Sequence, residues 1–339
     1  MRAAPLFWAR PPGLAAGLLA PFGAAWDMAG RLRRAIARPY RAPVPVVCVG
    51  NLVAGGAGKT PVVLALCDYL AGCGIATHVV TRGYGGREGG PLRVDPSRHD
   101  VDAVGDEALL LARAAPCWVA RDRAAGVRAA AADGAATILL DDGFQNPWVA
   151  KALALIVVDA GYCFGNGRVM PAGPLRENLR RGLARADAVV LLAADGEPCA
   201  PSKVGLGGVQ VVPAVLTAIA GERFAGGRVL AFAGIGRPEK FFATLRRIGA
   251  DLVAERSFPD HHTFRPAEIA ELRRAAARAG ARLVTTAKDI VRVPPTERCK
   301  IDVLEVETRW PTPAAFAGLI GPVVLSARRN GRDPDEHLR

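Results

Sequence analysis

A glycine-rich loop lies between two apolar runs and reads Gly50-Asn51-Leu52-Val53-Ala54-Gly55-Gly56-Ala57-Gly58-Lys59-Thr60-Pro61. The preceding run, Val44 to Val49, is typical of a buried strand, and the following run, Val62 to Leu70, is typical of a helix. A strand, a glycine turn, Lys-Thr and a helix together indicate a phosphate-binding loop. Val53 stands where the strict form of this motif has its first glycine, so Gly55 and Gly56 are expected to form the turn.

In a loop of this kind, backbone N–H groups surround the phosphates, the lysine reaches the outer phosphates, and the hydroxyl group of the last residue binds Mg²⁺. We therefore predict ATP and Mg²⁺ as cofactors. The predicted nucleotide-binding residues are Gly55, Gly56, Ala57, Gly58, Lys59 and Thr60.

The rest of the chain alternates short apolar runs with helical patterns, which predicts an α/β fold with a mainly parallel sheet and helices on both faces. Strands are expected at 44–49, 77–81, 116–120, 137–140, 155–158 and 188–192, and helices at 62–73, 106–114, 123–132 and 174–185. A second, smaller α/β lobe is expected to contain strands at 229–232, 252–256, 282–286 and 303–307. The expected organisation is an N-terminal helical segment (1–40), a nucleotide-binding core (41–208), an extended linker (209–228), the smaller lobe (229–322) and a polar tail (323–339).

Composition narrows the function classes. The 339 residues carry a net charge of +12, which favours an anionic partner, but only 6% are aromatic, and no nucleic-acid-binding motif is present. We therefore expect no nucleic acid partner. The seven cysteines contain no C-x-x-C pair, which indicates buried thiols in a reducing compartment rather than disulfides or a zinc site.

The N-terminal segment has an amphipathic helical pattern. Phe22, Trp26, Leu32 and Ile36 recur at helical spacing, and the opposite side carries Asp27, Arg31, Arg34 and Arg38. Pro12 and Pro21 are expected to divide the apolar stretch into pieces too short to cross a bilayer. A basic amphipathic helix fits an anionic lipid surface, and the alternative is an ordinary surface helix packed on its own domain.

Two acidic pairs are candidates for the chemistry. Asp141-Asp142 follows an expected strand, so both carboxylates should lie beside the phosphate loop and bind Mg²⁺ together with Thr60, although an Asp-Gly turn is also consistent with the pattern. Asp106-Glu107 begins an expected helix, where acidic residues also simply offset the helix dipole. Spacing alone favours this second interpretation for Asp106.

Several further segments occur in a characteristic order: Thr81-Arg82-Gly83-Tyr84-Gly85, Gly105-Asp106-Glu107, Asp141-Asp142-Gly143-Phe144-Gln145, Pro171-Ala172-Gly173-Pro174-Leu175-Arg176-Glu177, Phe258-Pro259-Asp260-His261-His262 and Thr286-Ala287-Lys288-Asp289. Together with the glycine loop, this ordered set resembles the tetraacyldisaccharide 4′-kinase family, the lipid A 4′-kinases of Gram-negative bacteria. The resemblance covers roughly residues 5 to 310. Asn146 replaces a histidine that is often found next to Gln145 in that family.

The resemblance implies specific roles for the acidic residues and the histidine. Asp106 would be the catalytic base, Glu107 would belong to the metal shell, and His261, beside Asp260, would pair with the base. The His-His repeat leaves open which ring does so, His261 or His262. Asp106, His261, Lys59 and Asp260 form the predicted catalytic set, while Arg82 and Arg176 are expected to contact phosphate.

The activity implied by the resemblance is transfer of the ATP γ-phosphate to the 4′-hydroxyl of tetraacyldisaccharide 1-phosphate. The lipid substrate and an anionic membrane are the implied partners, at the cytoplasmic face of the inner membrane, and no obligate protein partner is inferred. Two alternatives remain from the residues alone: a P-loop ATPase or GTPase that acts as a switch or metallochaperone, and a scaffold with a decayed nucleotide site.

Overall fold

The structure is a computed structural model, and it describes residues 5–196 and 208–330. Within these ranges the chain forms two sheets. The larger has nine strands in the order β13-β8-β7-β6-β1-β5-β2-β4-β3, and the smaller has four in the order β10-β9-β11-β12. All neighbouring strands are parallel except at the two edges of the large sheet, where β3 and β13 run antiparallel to β4 and β8. The predicted α/β class with a mainly parallel sheet is confirmed.

The strands of the large sheet are β1 (Val46–Gly50), β2 (Thr77–Thr81), β3 (Leu92–Arg93), β4 (Cys117–Val119), β5 (Thr137–Asp141), β6 (Leu153–Asp159), β7 (Ala188–Ala194), β8 (Gln210–Ala218) and β13 (Val306–Arg309). The small sheet contains β9 (Arg228–Ala233), β10 (Asp251–Ser257), β11 (Arg282–Thr286) and β12 (Asp302–Leu304).

The helices are α1 (Leu14–Ala35), α2 (Lys59–Gly72), α3 (Val101–Val104), α4 (Asp106–Leu111), α5 (Arg123–Ala132), α6 (Leu179–Leu183), α7 (Pro238–Arg247), α8 (Pro266–Arg278), α9 (Ala287–Ile290), α10 (Pro295–Arg298) and α11 (Pro313–Asn330). Short 3₁₀ turns span Leu6–Ala9 and Gly221–Phe224.

Successive residues of β1 point to opposite faces of the large sheet, and each face has its own core. Val47 and Val49 pack with residues of α2 and α11, whereas Val46 and Cys48 pack with residues of α5. A strand covered on both faces can be apolar throughout, which is why β1, β5 and β6 are apolar runs in the sequence. Strand β1 therefore lies at the centre of the sheet between helices on both faces, and the glycine loop begins at its carboxyl end.

The chain crosses between the two sheets twice, at neighbouring points. It leaves the large sheet after Ala218 and returns at Val306, only one residue after β12 ends at Leu304. The backbone N–H of Ile219 donates to the carbonyl oxygen of Glu305 across 2.9 Å. The single strand expected at 303–307 is therefore two short strands, one in each sheet.

Other segments also differ from their expected forms. Residues 210–218 form a strand of the large sheet rather than a linker, because they pair with β7 on one side and β13 on the other. Helix α11 continues to Asn330, where a polar tail was expected from residue 323, and it does so because Val323, Val324 and Ala327 are buried against the large sheet. Residues 197–207, which include Cys199 and most of a segment (197–208) whose Pro and Gly content predicts a loop, lie outside the described residues, as do residues 331–339.

The N-terminal helix runs through Pro21 without ending there. In the part of the chain that the structure describes, no helix is both long enough and apolar enough to cross a membrane. The face of α1 that packs on the protein is small and polar, with Ala16, Gly23 and Asp27 buried. Its large apolar side chains instead point away from the protein, namely Leu14, Leu18, Phe22, Trp26, Met28, Leu32 and Ile36, each at least 55% exposed.

Candidate active site

The glycine loop joins the carboxyl end of β1 to the first turn of α2, at the centre of the large sheet. Strand β1 lies between β6 and β5, so the chain connections diverge on its two sides, which is where ligands bind in open α/β sheets. Gly58 caps α2 with a φ of 80°, and a Cβ atom there would lie 2.3 Å from Leu192 Cδ2. No side chain caps the helix, so the N–H groups of its first turn point toward the loop without a capping partner.

Asp141 and Asp142 lie at the end of β5, beside this loop. The Asp142 carboxylate accepts from Arg176 Nη1 at 3.0 and 3.1 Å and lies 3.6 Å from Lys59 Nζ. Partial burial alone would raise the pKa of Asp142, but the positive charges of Lys59 and Arg176 hold it below its usual value. The structure therefore brings the predicted residues Lys59, Asp142 and Arg176 together.

Asp141 is in a different environment from its neighbour. It is buried, and one carboxylate oxygen accepts from Thr81 Oγ1 at 3.1 Å, while Oδ1 has no hydrogen-bond partner. Burial, followed by the negative charge of Glu107, raises its pKa to about 7. A buried carboxylate oxygen without a donor is a costly arrangement, and a bound cation would relieve it.

Asp106 meets the small lobe at the same edge of the sheet. It begins α4 after Gly105 and is only 2% exposed. His261 Nδ1 lies 2.9 Å from Asp106 Oδ2, and the guanidinium Nε of Arg292 lies 3.3 Å from the same oxygen. Burial would raise the pKa of Asp106, but the hydrogen bond with His261 and the charges of Lys288, His261 and Arg292 together lower it. The carboxylate is therefore held in its ionised form.

The structure distinguishes the two adjacent histidines. His261 adopts a left-handed conformation (φ 61°) and its Nε2 lies 3.8 Å from Asp260, so its ring lies between two carboxylates. His262 Nε2 instead lies 3.2 Å from Glu268, and its ring stacks on Phe258 with centroids 4.9 Å apart. Of the two rings, His261 is the one that contacts Asp106.

Glu107 and Arg82 have fewer contacts within the site. Glu107 Oε1 accepts from Lys288 Nζ of the small lobe at 3.1 Å. Arg82 follows β2 and is exposed at the carboxyl edge of the sheet. Within residues 5–196 and 208–330, no group of three or more His, Cys, Asp or Glu side chains is arranged to hold a metal ion by itself. The four predicted magnesium ligands, Thr60, Asp141, Asp142 and Glu107, thus do not form a protein-only cage.

Sequence reasoning missed several contacts that join the two lobes. Arg292 is buried against Asp106 and also donates to Asp289 Oδ1 at 2.6 Å. Buried Asp159, at the end of β6, pairs with Arg237 at 3.1 Å and with Lys240. No local pattern in the sequence singles out Arg292, and none links Asp159 to Arg237 or Lys240.

The small lobe also approaches the nucleotide loop directly. A Cβ atom on Gly236 would lie 3.3 Å from the backbone nitrogen of Gly56 and 3.4 Å from Asp260 Oδ2. The loop, the Asp141-Asp142 pair and the Asp106–His261 pair therefore border one crevice between the two sheets. Such a crevice can hold a polyphosphate at the loop and place an acceptor group beside a buried carboxylate.

A model of the family described as LpxK, tetraacyldisaccharide-1-P 4′-kinase, matches residues 15–324. The chain belongs to this family. Similar proteins named tetraacyldisaccharide 4′-kinase include one from Rhodospirillum centenum, 53% identical over 333 residues (97% of this chain and 99% of that protein), and one from Rhodospirillum rubrum, 49% identical over 327 residues (95% and 98%). The family resemblance drawn from the ordered motifs is confirmed.

The fold is similar to that of a solved member of this family. The crystal structure of LpxK from Aquifex aeolicus in complex with ATP superposes with a TM-score of 0.72 and 24% sequence identity, covering 92% of this chain and 100% of that one. At this identity the similarity establishes the fold.

Proposed function

We propose that this protein is an ATP- and Mg²⁺-dependent kinase that phosphorylates the 4′-hydroxyl of tetraacyldisaccharide 1-phosphate. The observation that carries the proposal is the convergence of the glycine loop of the large lobe with a buried Asp106–His261 pair that spans both lobes. Family membership over residues 15–324 and the names of the relatives supply the acceptor. The product would be the bisphosphorylated precursor of lipid A.

In this proposal, the large lobe binds the nucleotide. The β- and γ-phosphates are neutralised by the N–H groups at the start of α2 and by the Lys59 ammonium. These contacts matter because positioning and charge neutralisation provide most of the catalysis in phosphoryl transfer. Arg176 also contacts Asp142 and is placed to contact a transferred phosphoryl group. The carboxylate of Asp142 holds both cations at this edge of the crevice.

Asp106 would act as the base. The acceptor hydroxyl oxygen forms a bond to the γ-phosphorus as the bond to the β–γ bridging oxygen breaks, ADP leaves with that electron pair, and the Asp106 carboxylate takes the hydroxyl proton. His261 and Arg292 orient this carboxylate and keep it ionised at neutral pH. In a loose transition state the proton transfers late, so a weakly basic carboxylate is sufficient.

The residues present fit a magnesium ion. Mg²⁺ prefers oxygen ligands and is usually held by one or two carboxylates, with phosphates and waters completing the shell, so a protein-only cage is not needed. Asp141 Oδ1 is buried without a donor, and Thr60 follows Lys59 in the first turn of α2, where Lys59 Nζ lies 3.6 Å from Asp142. When bound, the ion would neutralise charge that develops on the phosphates.

The switch and metallochaperone alternative is not favoured. Metallochaperones carry soft or mixed ligand clusters, and the described residues contain no group of three or more potential metal-binding side chains. The match to the kinase family over most of the chain also favours the enzyme.

We further propose that α1 lies on an anionic lipid surface at the cytoplasmic face of the inner membrane, where ATP and a lipid substrate meet. The exposed apolar row of α1 and exposed Arg31 and Arg38 support this, because apolar insertion and basic charge act together in interfacial helices.

Reversing Arg31 and Arg38 to Glu should weaken binding to anionic vesicles, and added salt should do the same. Reversing Arg274 and Arg278, exposed on α8, is the matched control and should have little effect; equal binding by both variants would argue against the proposal.

The activity is tested directly with purified protein, ATP, Mg²⁺ and tetraacyldisaccharide 1-phosphate, following the lipid by mass spectrometry. We expect a mass increase of one phosphate on the lipid, dependent on Mg²⁺ and lost in Lys59→Ala. ATP hydrolysis that is unaffected by the lipid, with no phosphorylated lipid, would instead support the ATPase alternative.

A further inference from the structure

The contacts that hold α1 on the protein gather on three consecutive residues, Arg176, Glu177 and Asn178. Trp26 Nε1 donates to the carbonyl oxygen of Arg176 at 3.1 Å. Arg34 Nη1 lies 3.4 Å from Glu177 Oε2, and the backbone N–H of Asn178 donates to Asp27 Oδ1 at 2.9 Å. Each of the three residues thus has one partner on the helix.

The same short segment is bonded to the nucleotide loop. The backbone N–H of Arg176 donates to the carbonyl oxygen of Leu52 at 2.8 Å, and the N–H of Ala54 donates to that of Pro174 at 2.7 Å. The Arg176 side chain reaches Asp142, as described above. Movement of this segment would therefore displace both the loop backbone and the guanidinium group that faces the phosphate site.

Asp27 is the central contact on the helix side. It is the one acidic residue of α1, it is only 7% exposed, and its second carboxylate oxygen pairs with Arg181. A buried carboxylate is costly unless it is paired and hydrogen-bonded, so the helix has one favourable orientation in which both oxygens are satisfied. In that orientation the apolar row of α1 points away from the protein.

We infer that Asp27 is a positioning residue for phosphoryl transfer, and that α1 couples a lipid surface to the active site through residues 176–178. The inference rests on the proposed function. Asp27 does not touch the reacting groups; it binds Asn178, two residues after Arg176, in the segment that is hydrogen-bonded to the loop. When α1 lies on the lipid surface and is bound to this segment, it keeps the phosphate site in its active arrangement at the surface that contains the lipid acceptor.

Two glycines of α1 provide a matched steric test. A Cβ atom on Gly23 would lie 2.7 Å from the carbonyl oxygen of Val169, a backbone atom, so Gly23→Ala must shift the helix relative to that chain segment. A Cβ atom on Gly17 would meet nothing within 4 Å. Both substitutions add one methyl group to the same helix, and only Gly23→Ala changes its seating.

The experiment measures lipid phosphorylation and vesicle binding with the full chain. We expect Asp27→Ala to lower kcat by about 10- to 100-fold, as a misplacement of about 1 Å does, with vesicle binding within about twofold of wild type. Asp27→Asn, which keeps the acceptor for the Asn178 N–H, should recover part of the loss. Gly23→Ala should lower kcat, and Gly17→Ala should not.

A double variant that carries Asp27→Ala and Arg176→Ala distinguishes a positioning role of Asp27 from a general loss of structure. If Asp27 acts through Arg176 and the attached loop, adding Asp27→Ala to Arg176→Ala should lower kcat by less than about threefold more. Multiplicative losses, a wild-type kcat in Asp27→Ala, or a loss confined to vesicle binding would each overturn the inference. If thermal melting shows that Asp27→Ala does not fold, the comparison of kcat between Gly23→Ala and Gly17→Ala tests the inference instead. Absence of lipid phosphorylation by the wild-type protein would instead refute the proposed function itself.

Discussion

Replacement of His261 by Ala tests the cross-lobe pair most directly. In the wild-type structure, Asp106 has three close polar contacts: His261 at 2.9 Å, Arg292 at 3.3 Å and the Glu107 N–H at 2.8 Å. Removing one hydrogen bond to a charged group costs about 1.5–3 kcal/mol. This hydrogen bond favours the ionised carboxylate, so its loss should raise the pKa of Asp106.

The direction of the pH effect follows from the role of the base. Asp106 must be ionised to accept a proton, and its contacts lower its pKa, so losing His261 moves the acidic limb of the kcat/KM profile to higher pH. At neutral pH we expect kcat to fall about tenfold, because the base is less well oriented without a hydrogen bond worth about 1.5 kcal/mol. Asp106→Asn removes the base altogether and should lower kcat by about 10²- to 10⁴-fold.

The assay is a pH–rate profile of lipid phosphorylation for the single variants and the double variant. His262→Ala is the matched control, because the neighbouring ring faces Glu268 and Phe258 instead of Asp106. If the pair acts as a unit, the double variant should be within about threefold of Asp106→Asn alone. An unshifted acidic limb in His261→Ala, or equal effects of the two histidine substitutions, would refute the reasoning.

Three further predictions follow from the buried contacts. The pKa of Asp141 is raised to about 7, so between about pH 4 and 7 the folded state holds a proton that the unfolded state has lost, and ligand-free stability should fall as pH rises. Asp141→Asn should remove this fall. Its melting temperature should exceed that of the wild type by a few degrees at pH 7.5 and by less at pH 5. Arg292→Gln leaves two buried carboxylates without their partner and should cost about 3–5 kcal/mol of unfolding free energy in denaturant titrations, whereas Arg273→Gln, which breaks an exposed pair with Glu297, should cost less than about 1 kcal/mol. Gly236→Ala presses a methyl group toward the Gly56 backbone and should raise the KM for ATP several-fold; an unchanged KM would show that the loop yields without effect on nucleotide binding.

The nucleotide-binding half of the site could be predicted because its residues are close in sequence. The loop, the strand before it and the helix after it form one continuous stretch, and Asp141-Asp142 ends another apolar run. Apolar periodicity and the shared carboxyl edge of parallel strands were therefore sufficient to expect them together. The pairing of Asp106 with His261 came only from family resemblance. These residues are 155 positions apart, and the local pattern of Asp106 favoured a helix-dipole role.

Tertiary pairing explains the remaining differences. Residues 174–185 were expected to be one helix, but Leu175 pairs with Val53 of the nucleotide loop and only Leu179–Leu183 is helical, capped by the Asn178 side chain. The helical pattern of this segment was outweighed by hydrogen bonds to a distant loop, which no local signal reveals. Arg292 is a similar case, because a single arginine in an arginine-rich sequence gives no sign that it will be buried.

The adjacent crossings between the sheets make the small lobe an insertion within the large one. Because Ile219 and Glu305 are hydrogen-bonded neighbours, the 85 or so residues between them enter and leave through what is, for the large sheet, a single short loop. Strand β13 then completes the large sheet and helix α11 packs against it, so the large lobe contains chain from both sides of the small lobe. The part of the enzyme that supplies His261 is therefore joined to the nucleotide-binding sheet at a single position, so a change in its length need not alter the strand order of that sheet.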